Sequence, residues 1–215
     1  AVGWGVTISE VPKFFNPYGI EDLRIVTLLG GLASSYFLNP YDIGARLASA
    51  VGGACYNIHA PAIAESEELA NSFKSDVTVR QALEMAEQAD HYMVGIGVAG
   101  EDSTLVKMKY ISSAETEIIR KQGGVGDILA QYFDVEGRKV NCTLHKRIVA
   151  FPIENLREKE STIGLAGGKI KVKAILGALH GRFINTLITD ENTAKALLEL
   201  EGSRSGLSSE KGKVS

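Results

Sequence analysis

The sequence predicts an α/β fold: a Rossmann-like, mostly parallel sheet with helices on both faces. Three observations predict it. Short apolar stretches alternate with stretches of helical spacing, several of the apolar stretches end on glycine, and residues 162–189 have the pattern of a complete βαβ unit. Alternating strands and helices favour parallel pairing, because a helical crossover returns the chain to the same end of the sheet.

The first half of the chain supplies short elements of both kinds. A helix is predicted at residues 41–51 because Ile43, Leu47 and Val51 recur at helical spacing before Gly52 and Gly53. The other elements predicted here, in chain order, are a strand end with a glycine turn at 1–7, strands at 24–29 and 54–58, a helix at 79–89 and a strand at 91–96.

The second half begins with a predicted helix at residues 112–121, which Gly123 and Gly124 end. The βαβ unit follows: an apolar strand from Thr162, a helix after Gly168, and a strand at 183–189. Two more apolar stretches, at 128–133 and 144–152, precede that unit. The last predicted helix covers 191–200, with Thr189 or Asp190 as its N-cap.

The turn of the βαβ unit is a candidate anion site. Gly167 and Gly168 precede a helix whose first turn carries Lys169 and Lys171. Free backbone N–H groups and the positive end of a helix dipole favour a bound phosphate or carboxylate, and a lysine adds a point charge. The alternative is that the glycines only form a tight turn and the lysines are solvated.

Composition excludes several classes of protein. The formal net charge of −3 provides no basic field for nucleic acid, so DNA would have to be held by another segment. The two cysteines and four histidines are scattered, which predicts neither a disulfide framework nor a metal site. No apolar run is long enough to span a membrane and no signal peptide is present, so we expect a cytoplasmic protein.

The two ends of the chain differ from its interior. The sequence opens without Met on what looks like the end of a strand, so we expect a fragment of a longer protein. Beyond Gly202 it becomes rich in Ser, Gly and Lys, which predicts a flexible tail at 202–215. Residues 1–201 are therefore the predicted domain.

Glycines at the ends of four predicted strands indicate a pocket. If these strands are parallel, their carboxyl ends lie at one edge of the sheet, where ligands of such folds bind. Small residues there let the backbone approach a ligand closely. The glycines are Gly3 and Gly5, Gly30 and Gly31, Gly95 and Gly97, and Gly167 and Gly168; nearby hydroxyls are Thr7, Ser34, Ser35, Ser103 and Thr104.

The order of motifs resembles the effector-binding domain of the SorC family of sugar-responsive bacterial transcriptional regulators. The matching pieces are VGWGVT at 2–7, VTLLGG at 26–31, ADHYMVGIG at 89–97, GGVGDIL at 123–129, YFDVEG at 132–137, AGGKIK at 166–171 and ALHGRFINTLITD at 178–190. Two pieces depart from the family pattern: many members have Gly-Ala-Val-Gly-Asp and Arg-Gly-Gly, where this chain has Gly-Gly-Val-Gly-Asp and His-Gly-Arg.

The resemblance implies a fold related to glucosamine-6-phosphate deaminase and ribose-5-phosphate isomerase. It implies a domain that senses a phosphorylated sugar or polyol without catalysis, metal or cofactor. Operator DNA would be contacted only through an N-terminal helix-turn-helix that this chain lacks, and the regulator would be a homodimer or homotetramer. No membrane partner is expected.

The resemblance also implies the site residues. The ligand's phosphate would lie against glycine-rich turns and a lysine of the Gly-Gly-x-x-Lys motif; the matching residues are Gly3, Gly5, Thr7, Gly30, Gly31 and Lys171. Asp127, the aspartate of the Gly-Asp-Ile motif, would accept hydrogen bonds from sugar hydroxyls. Gly95 and Gly97 would allow close approach on the sugar side, and Trp4 would stack on the ligand or shield the core.

Two other functions compete with this interpretation. A sugar-phosphate isomerase or deaminase of the same fold needs a general base and usually a second acid. Asp90, Asp102, Asp127 and His59 are available, but they form no compact pair in the sequence. A module that serves only oligomerisation would leave the glycine-ended strands unexplained.

Overall fold

The computed structural model describes residues 1–15, 22–32 and 38–211, with side chains as far as residue 204. Ser34 and Ser35 lie outside the described residues. The strands are β1 Arg24–Val26, β2 Ala54–Tyr56, β3 Tyr92–Gly95, β4 Gly97–Val98, β5 Gly124–Ile128, β6 Gln131–Asp134, β7 Thr162–Leu165 and β8 Thr186–Ile188. The α-helices are α1 Val6–Glu10, α2 Pro40–Val51, α3 Glu67–Ser75, α4 Val77–Glu87, α5 Thr104–Lys107, α6 Ser113–Lys121, α7 Leu144–Arg147, α8 Val172–His180 and α9 Glu191–Lys211. Short 3-10 helices cover Val11–Phe14, Ile153–Glu158 and Lys169–Lys171.

The parallel part of the sheet is built around the first residues of the chain. Strand β1 pairs with β2, and β3 pairs with β7, which pairs with β8, all in parallel. Val2 bridges in parallel to Thr27 on one side and to Met93 on the other, so it joins the two groups of strands. Together with the helices packed against these strands, this confirms the predicted α/β class and its mostly parallel sheet.

A second sheet, β4-β5-β6, is antiparallel and was not predicted as a sheet. Its central strand β5 begins at Gly124, in a glycine-rich run that the sequence analysis treated as a helix breaker. Gly126 must be small because helix α8 packs directly against it: a Cβ there would lie 2.4 Å from Cβ of Ala174. Strand β5 is therefore glycine-rich because a helix lies close to its backbone.

Most predicted helix boundaries follow from caps. The side chain of Asn39 accepts from the N–H of Tyr41 before α2, and Gly52 ends that helix in the left-handed conformation. Ser112 and Glu115 form a capping box at the start of α6. Other helices differ from the prediction: the short helices α1, α5 and α7 and the longer α3 were not predicted. Helix α9 continues to Lys211, past the predicted end at residue 200 and into the segment predicted to be a flexible tail.

The core lies between the sheets and their helices. Its largest fully buried side chains are aromatic and come from strands β3 and β6 and from two segments outside the strands: Tyr92, Tyr132, Phe133, Phe151 and Phe183. In the part of the chain that the structure describes, no helix combines the length and apolar character needed to cross a bilayer.

Candidate functional site

A cavity of about 270 Å³ opens where the first residues of the chain and strand β3 end. It lies at the carboxyl ends of parallel strands, the usual ligand position in open α/β sheets. Its lining residues are Trp4, Gly5, Val6, Thr7, Gly95, Ile96, Gly97, Ser103, Thr104, Leu105, Asp127 and Lys171. Seven of the ten residues predicted to form the site are therefore brought together here.

Asp127 lies at the end of strand β5, just before the hairpin turn to β6. Leu129 and Ala130 in that turn both have positive φ angles, 54° and 62°, and Oδ2 of Asp127 accepts a hydrogen bond from the N–H of Ala130 at 3.1 Å. The side chain is almost completely buried, and burial raises the pKa of its carboxyl from the ordinary 3.8 to about 7, although the Ala130 N–H and Lys171 oppose the shift. Asp127 can thus accept a hydrogen bond when ionised and donate one when protonated.

Lys171 ends the 3-10 helix that leads into α8, and its side chain is half-buried beside the cavity. Burial lowers the pKa of its ammonium group, and the carboxylate of Asp127 opposes that shift. Lys169, at the start of the same turn, is exposed. The fold therefore turns Lys171, and not Lys169, towards the cavity.

The N-terminal segment forms the opposite part of the lining. Gly5 has a φ of 121° and is the N-cap of the short helix α1, which carries Thr7. Trp4 is buried, with only 7% of its surface exposed. A Cβ at Gly95 would lie 2.7 Å from the carbonyl oxygen of Trp4, so glycine at that position lets the two segments approach closely.

Three predicted site residues do not line the cavity. Gly3 is buried, and its N–H donates to the carbonyl oxygen of Met93 within the sheet. Gly30 and Gly31 continue the direction of β1 and are hydrogen-bonded to neighbouring segments of the same chain. The N–H of Gly30 donates to the carbonyl oxygen of Val149, and the N–H of Gly31 donates to that of Ala60. Their N–H groups are therefore used inside the fold.

The Gly167–Gly168 turn is closed by the helix that follows β8. The N–H of Gly168 donates to Oδ2 of Asp190 at 3.1 Å and to Oγ1 of Thr193 at 2.7 Å. A Cβ at Gly167 would lie 2.5 Å from the same Asp190 oxygen. The two glycines thus form a turn capped by this chain's own side chains, as the plain-turn interpretation expected, whereas Lys171 lines the cavity and is not fully solvated as that interpretation expected.

The residues considered for catalysis lie elsewhere. Asp102 forms a salt bridge with Lys107 at 3.0 Å, His59 packs its ring against Tyr41, and Asp90 lines a cavity at the opposite end of the sheet, near Ala1. Among the described residues, no cluster of side chains is suited to bind a metal ion.

The hydroxyls of Ser103 and Thr104 were recognised in the sequence as lying near the glycine turns but were not predicted to be site residues, and Tyr132 was not predicted to be one either. The position of Ser103 directly before a helix, in the run Glu101-Asp-Ser-Thr104, was the available signal. Tyr132, whose hydroxyl lies 3.4 Å from Oγ of Ser103, is fully buried, and its signals in the sequence were its apolar neighbours and its place in the YFDVEG motif.

Residues 1–199 match the family model described as "Putative sugar-binding domain". Among curated relatives, the transcriptional regulator LsrR of Enterobacter sp. is 34% identical over 206 residues, which cover 94% of this chain and 62% of the relative. The erythritol catabolism regulatory protein EryD of Brucella abortus is 34% identical over 197 residues, 92% of this chain and 62% of EryD. The chain thus spans about three fifths of the length of these relatives.

Solved structures agree with the fold. The sugar-binding domain of a transcriptional repressor from Vibrio fischeri is 30% identical with a TM-score of 0.84, covering 93% of this chain and 79% of that one. The full-length sorbitol operon regulator SorC from Klebsiella pneumoniae is 24% identical with a TM-score of 0.85, covering 92% and 64%. At that identity the second structure supports the fold alone.

Proposed function

This chain belongs to the family of sugar-binding domains found in SorC-like transcriptional regulators, and we propose that its cavity binds a phosphorylated sugar or polyol as an effector. The observation that carries the proposal is the placement of Asp127 and Lys171 on one cavity at the carboxyl ends of the strands. Lysine is a point charge suited to phosphate, and a carboxyl group is suited to a sugar hydroxyl.

The size and lining of the cavity fit such a ligand. A volume of about 270 Å³ suits a ligand of the size of a sugar phosphate, close to the lower end of small-molecule sites. Trp4 provides an aromatic wall, and Thr7, Ser103 and Thr104 provide hydroxyl groups. The proposed site therefore consists of Trp4, Gly5, Thr7, Gly95, Gly97, Asp127 and Lys171, and Gly3, Gly30 and Gly31 are left out.

Regulation of transcription would use a part of the protein outside this sequence. The relatives are named as regulators and are longer than the matched region, and the formal net charge of this chain is −3. We propose that ligand binding here is transmitted to a separate DNA-binding part, in a homodimer or homotetramer. Light scattering of the purified chain tests the assembly, and operator binding by the complete protein with and without ligand tests the transmission.

Catalysis is the alternative function, and one observation favours it: a carboxyl pKa of about 7 is a property that enzymes give to a general base. Against it, Asp127 and Lys171 are the only titratable side chains among the described residues that line the cavity. The cavity therefore lacks the second carboxylate or the histidine that an acid–base pair usually employs.

A ligand panel with product analysis decides between the two. Ribose 5-phosphate, glucose 6-phosphate, sorbitol 6-phosphate and their unphosphorylated parents are added to the chain and the melting temperature is measured. A ligand at 100 times its Kd stabilises the folded state by about 2.7 kcal/mol, which raises the melting temperature by about 5–10 °C in a chain of this size. We expect that rise for at least one phosphorylated compound and an unchanged compound at the end; steady conversion to product would overturn the effector proposal.

A further inference from the structure

Ser103 stands at the start of a helix without capping it. It is the N-cap residue of α5, where a serine side chain normally accepts a hydrogen bond from the backbone two or three residues later. Here it makes no such bond. The side chain is 1% exposed and lines the cavity, and its Oγ lies 3.4 Å from the hydroxyl oxygen of Tyr132. The side chain of Ser103 therefore does not cap the helix but lies between the cavity and the hydroxyl group of Tyr132 in the core.

Tyr132 approaches Ser103 from the core side. It lies in strand β6, is fully buried, and has Ser103 as the one hydrogen-bond partner of its hydroxyl among the described residues. Its ring stacks on His145, whose Nε2 accepts the N–H of Tyr132 itself at 2.7 Å. Burial, together with the nearby charge of Asp127, raises the pKa of Tyr132, so its hydroxyl keeps its proton. The tyrosine is therefore held in place and always has a proton to donate.

The hydroxyl groups of Ser103 and Tyr132 each carry one proton, but only one of these protons can lie in the hydrogen bond between them. The other proton needs a different acceptor. If Ser103 donates to Tyr132, the proton of Tyr132 is left without an acceptor inside the core, which is costly for a buried donor. If Tyr132 donates to Ser103, the remaining proton belongs to Ser103, on the side chain that lines the cavity. The second arrangement has the lower free energy, because a ligand or water in the cavity can accept that proton.

We propose that Ser103 is a specificity-determining residue that donates a hydrogen bond to a hydroxyl group of the ligand, with Tyr132 as its positioning residue. This inference rests on the proposed function of the cavity. Ser103 supplies a donor and Asp127 an acceptor on the same cavity, and a sugar hydroxyl both accepts and donates. The pair would thus distinguish a hydroxylated ligand from an anion of similar charge that lacks hydroxyl groups.

The test compares Ser103→Ala with the unmodified chain on two kinds of probe: ribose 5-phosphate, glucose 6-phosphate and sorbitol 6-phosphate on one side, and inorganic phosphate on the other. Kd values are measured by calorimetry, with inorganic phosphate measured by competition. Loss of one neutral hydrogen bond should weaken the best-binding sugar phosphate about 3- to 10-fold and leave inorganic phosphate unchanged. An equal loss on both probes would assign Ser103 to the phosphate and overturn the proposal, as would no loss on either.

The positioning role of Tyr132 needs a double-mutant cycle. Tyr132→Phe should weaken the sugar phosphate about 2- to 5-fold alone and have no further effect in the Ser103→Ala background, because its hydroxyl acts only through Ser103. Tyr92→Phe is the matched control: Tyr92 is equally buried, but its hydroxyl donates to the carbonyl oxygens of Ala86 and Glu87 away from the cavity. Additive effects of Tyr132→Phe and Ser103→Ala would contradict the positioning role.

These outcomes separate the inference from the function on which it rests. If the unmodified chain binds none of the sugar phosphates, the proposed function fails and the inference fails with it. If the unmodified chain binds one of them and Ser103→Ala binds it equally well, only the inference fails.

Discussion

Gly97 and Asp127 face each other across the antiparallel register of β4 and β5, and the carboxyl group of Asp127 occupies the space that a side chain at residue 97 would need. A Cβ at Gly97 would lie 2.1 Å from Oδ1 of Asp127, well inside the contact distance of the two atoms. The position of the proposed hydroxyl acceptor thus depends on the absence of a side chain on the neighbouring strand.

Gly97→Ala should therefore move Asp127 out of its place. We expect a loss of about 1–3 kcal/mol in the free energy of unfolding, as for other insertions into packed regions, and a roughly tenfold weaker affinity for a sugar phosphate. Urea unfolding and calorimetry measure the two effects. The control is Gly202→Ala in the exposed part of α9, where a Cβ would meet nothing within 4 Å; equal affinity in Gly97→Ala and Gly202→Ala would show that Asp127 does not depend on Gly97.

Asp127→Asn tests the raised pKa through the pH dependence of stability. Below about pH 4 the carboxyl is protonated in both the folded and the unfolded chain, so the substitution should change little. Between about pH 4 and pH 7 the unfolded chain releases the proton and the folded chain keeps it, so the unmodified chain loses stability relative to Asp127→Asn. Above pH 7 the difference should stay constant, at up to about 4 kcal/mol.

Denaturant unfolding of both chains at pH 4, 5.5, 7 and 8 measures this difference. Asn keeps an oxygen that can accept from the N–H of Ala130, so the hairpin turn retains its hydrogen bond. A difference that is independent of pH would mean that the carboxyl of Asp127 has its ordinary pKa in the folded chain, and a difference that grows as the pH falls would mean that its pKa is lowered; either result would contradict the raised pKa.

Lys171→Ala should weaken phosphorylated ligands by about 1.5–3 kcal/mol, because a charge-assisted hydrogen bond to the phosphate is lost. Lys171→Ala should also weaken the binding of inorganic phosphate by a similar factor, whereas Ser103→Ala should leave the affinity for inorganic phosphate unchanged. Lys169→Ala is the matched control, since it removes an exposed lysine from the same turn. Calorimetric titration would place the phosphate elsewhere if the two lysine variants bound sugar phosphate equally well.

Two buried threonines should respond in opposite ways to the same substitution. Thr193 is fully buried and its Oγ1 accepts the N–H of Gly168 and donates to Asp190, so Thr193→Val should cost about 1–2 kcal/mol of stability. Thr162 is equally buried, but its Oγ1 has no partner among the described residues, so Thr162→Val should be neutral or stabilising. Thermal unfolding of the two variants compares them directly, and a stability loss in Thr162→Val as large as in Thr193→Val would contradict this.

The local features of the sequence predicted the parallel part of the fold well. Helix α2 was predicted from Ile43, Leu47, Val51 and the glycine after them, because its apolar face and its C-cap are both encoded in neighbouring residues. Strand β5 was missed, since its glycines are explained by Ala174 of α8, a contact between residues 48 positions apart. Helix α3 was missed because its sequence is mostly polar and buries only Ala70.

The site, too, was predicted only in part. Lys171 and Asp127 were identified from the Gly-Gly-x-x-Lys and Gly-Asp-Ile motifs, and the structure places both on one cavity. Gly30 and Gly31 end a strand at the correct edge of the sheet, but only the fold shows that Ala60 and Val149 already take their N–H groups. The sequence indicates which strands end on glycine, and the pairing of the chain decides which of those glycines face open space.

The closed turn at Gly168 has a consequence for the response of the cavity to salt. In many α/β proteins a phosphate is held by fixed backbone N–H groups at such a turn, but here Asp190 and Thr193 occupy the N–H of Gly168. Recognition of a phosphate at this turn then relies on the charge of the half-buried Lys171, and salt ions screen the attraction between charges over about 8–10 Å at 0.1–0.15 M salt. The affinity for a phosphorylated ligand should accordingly fall as ionic strength rises, while contacts to its hydroxyl groups persist.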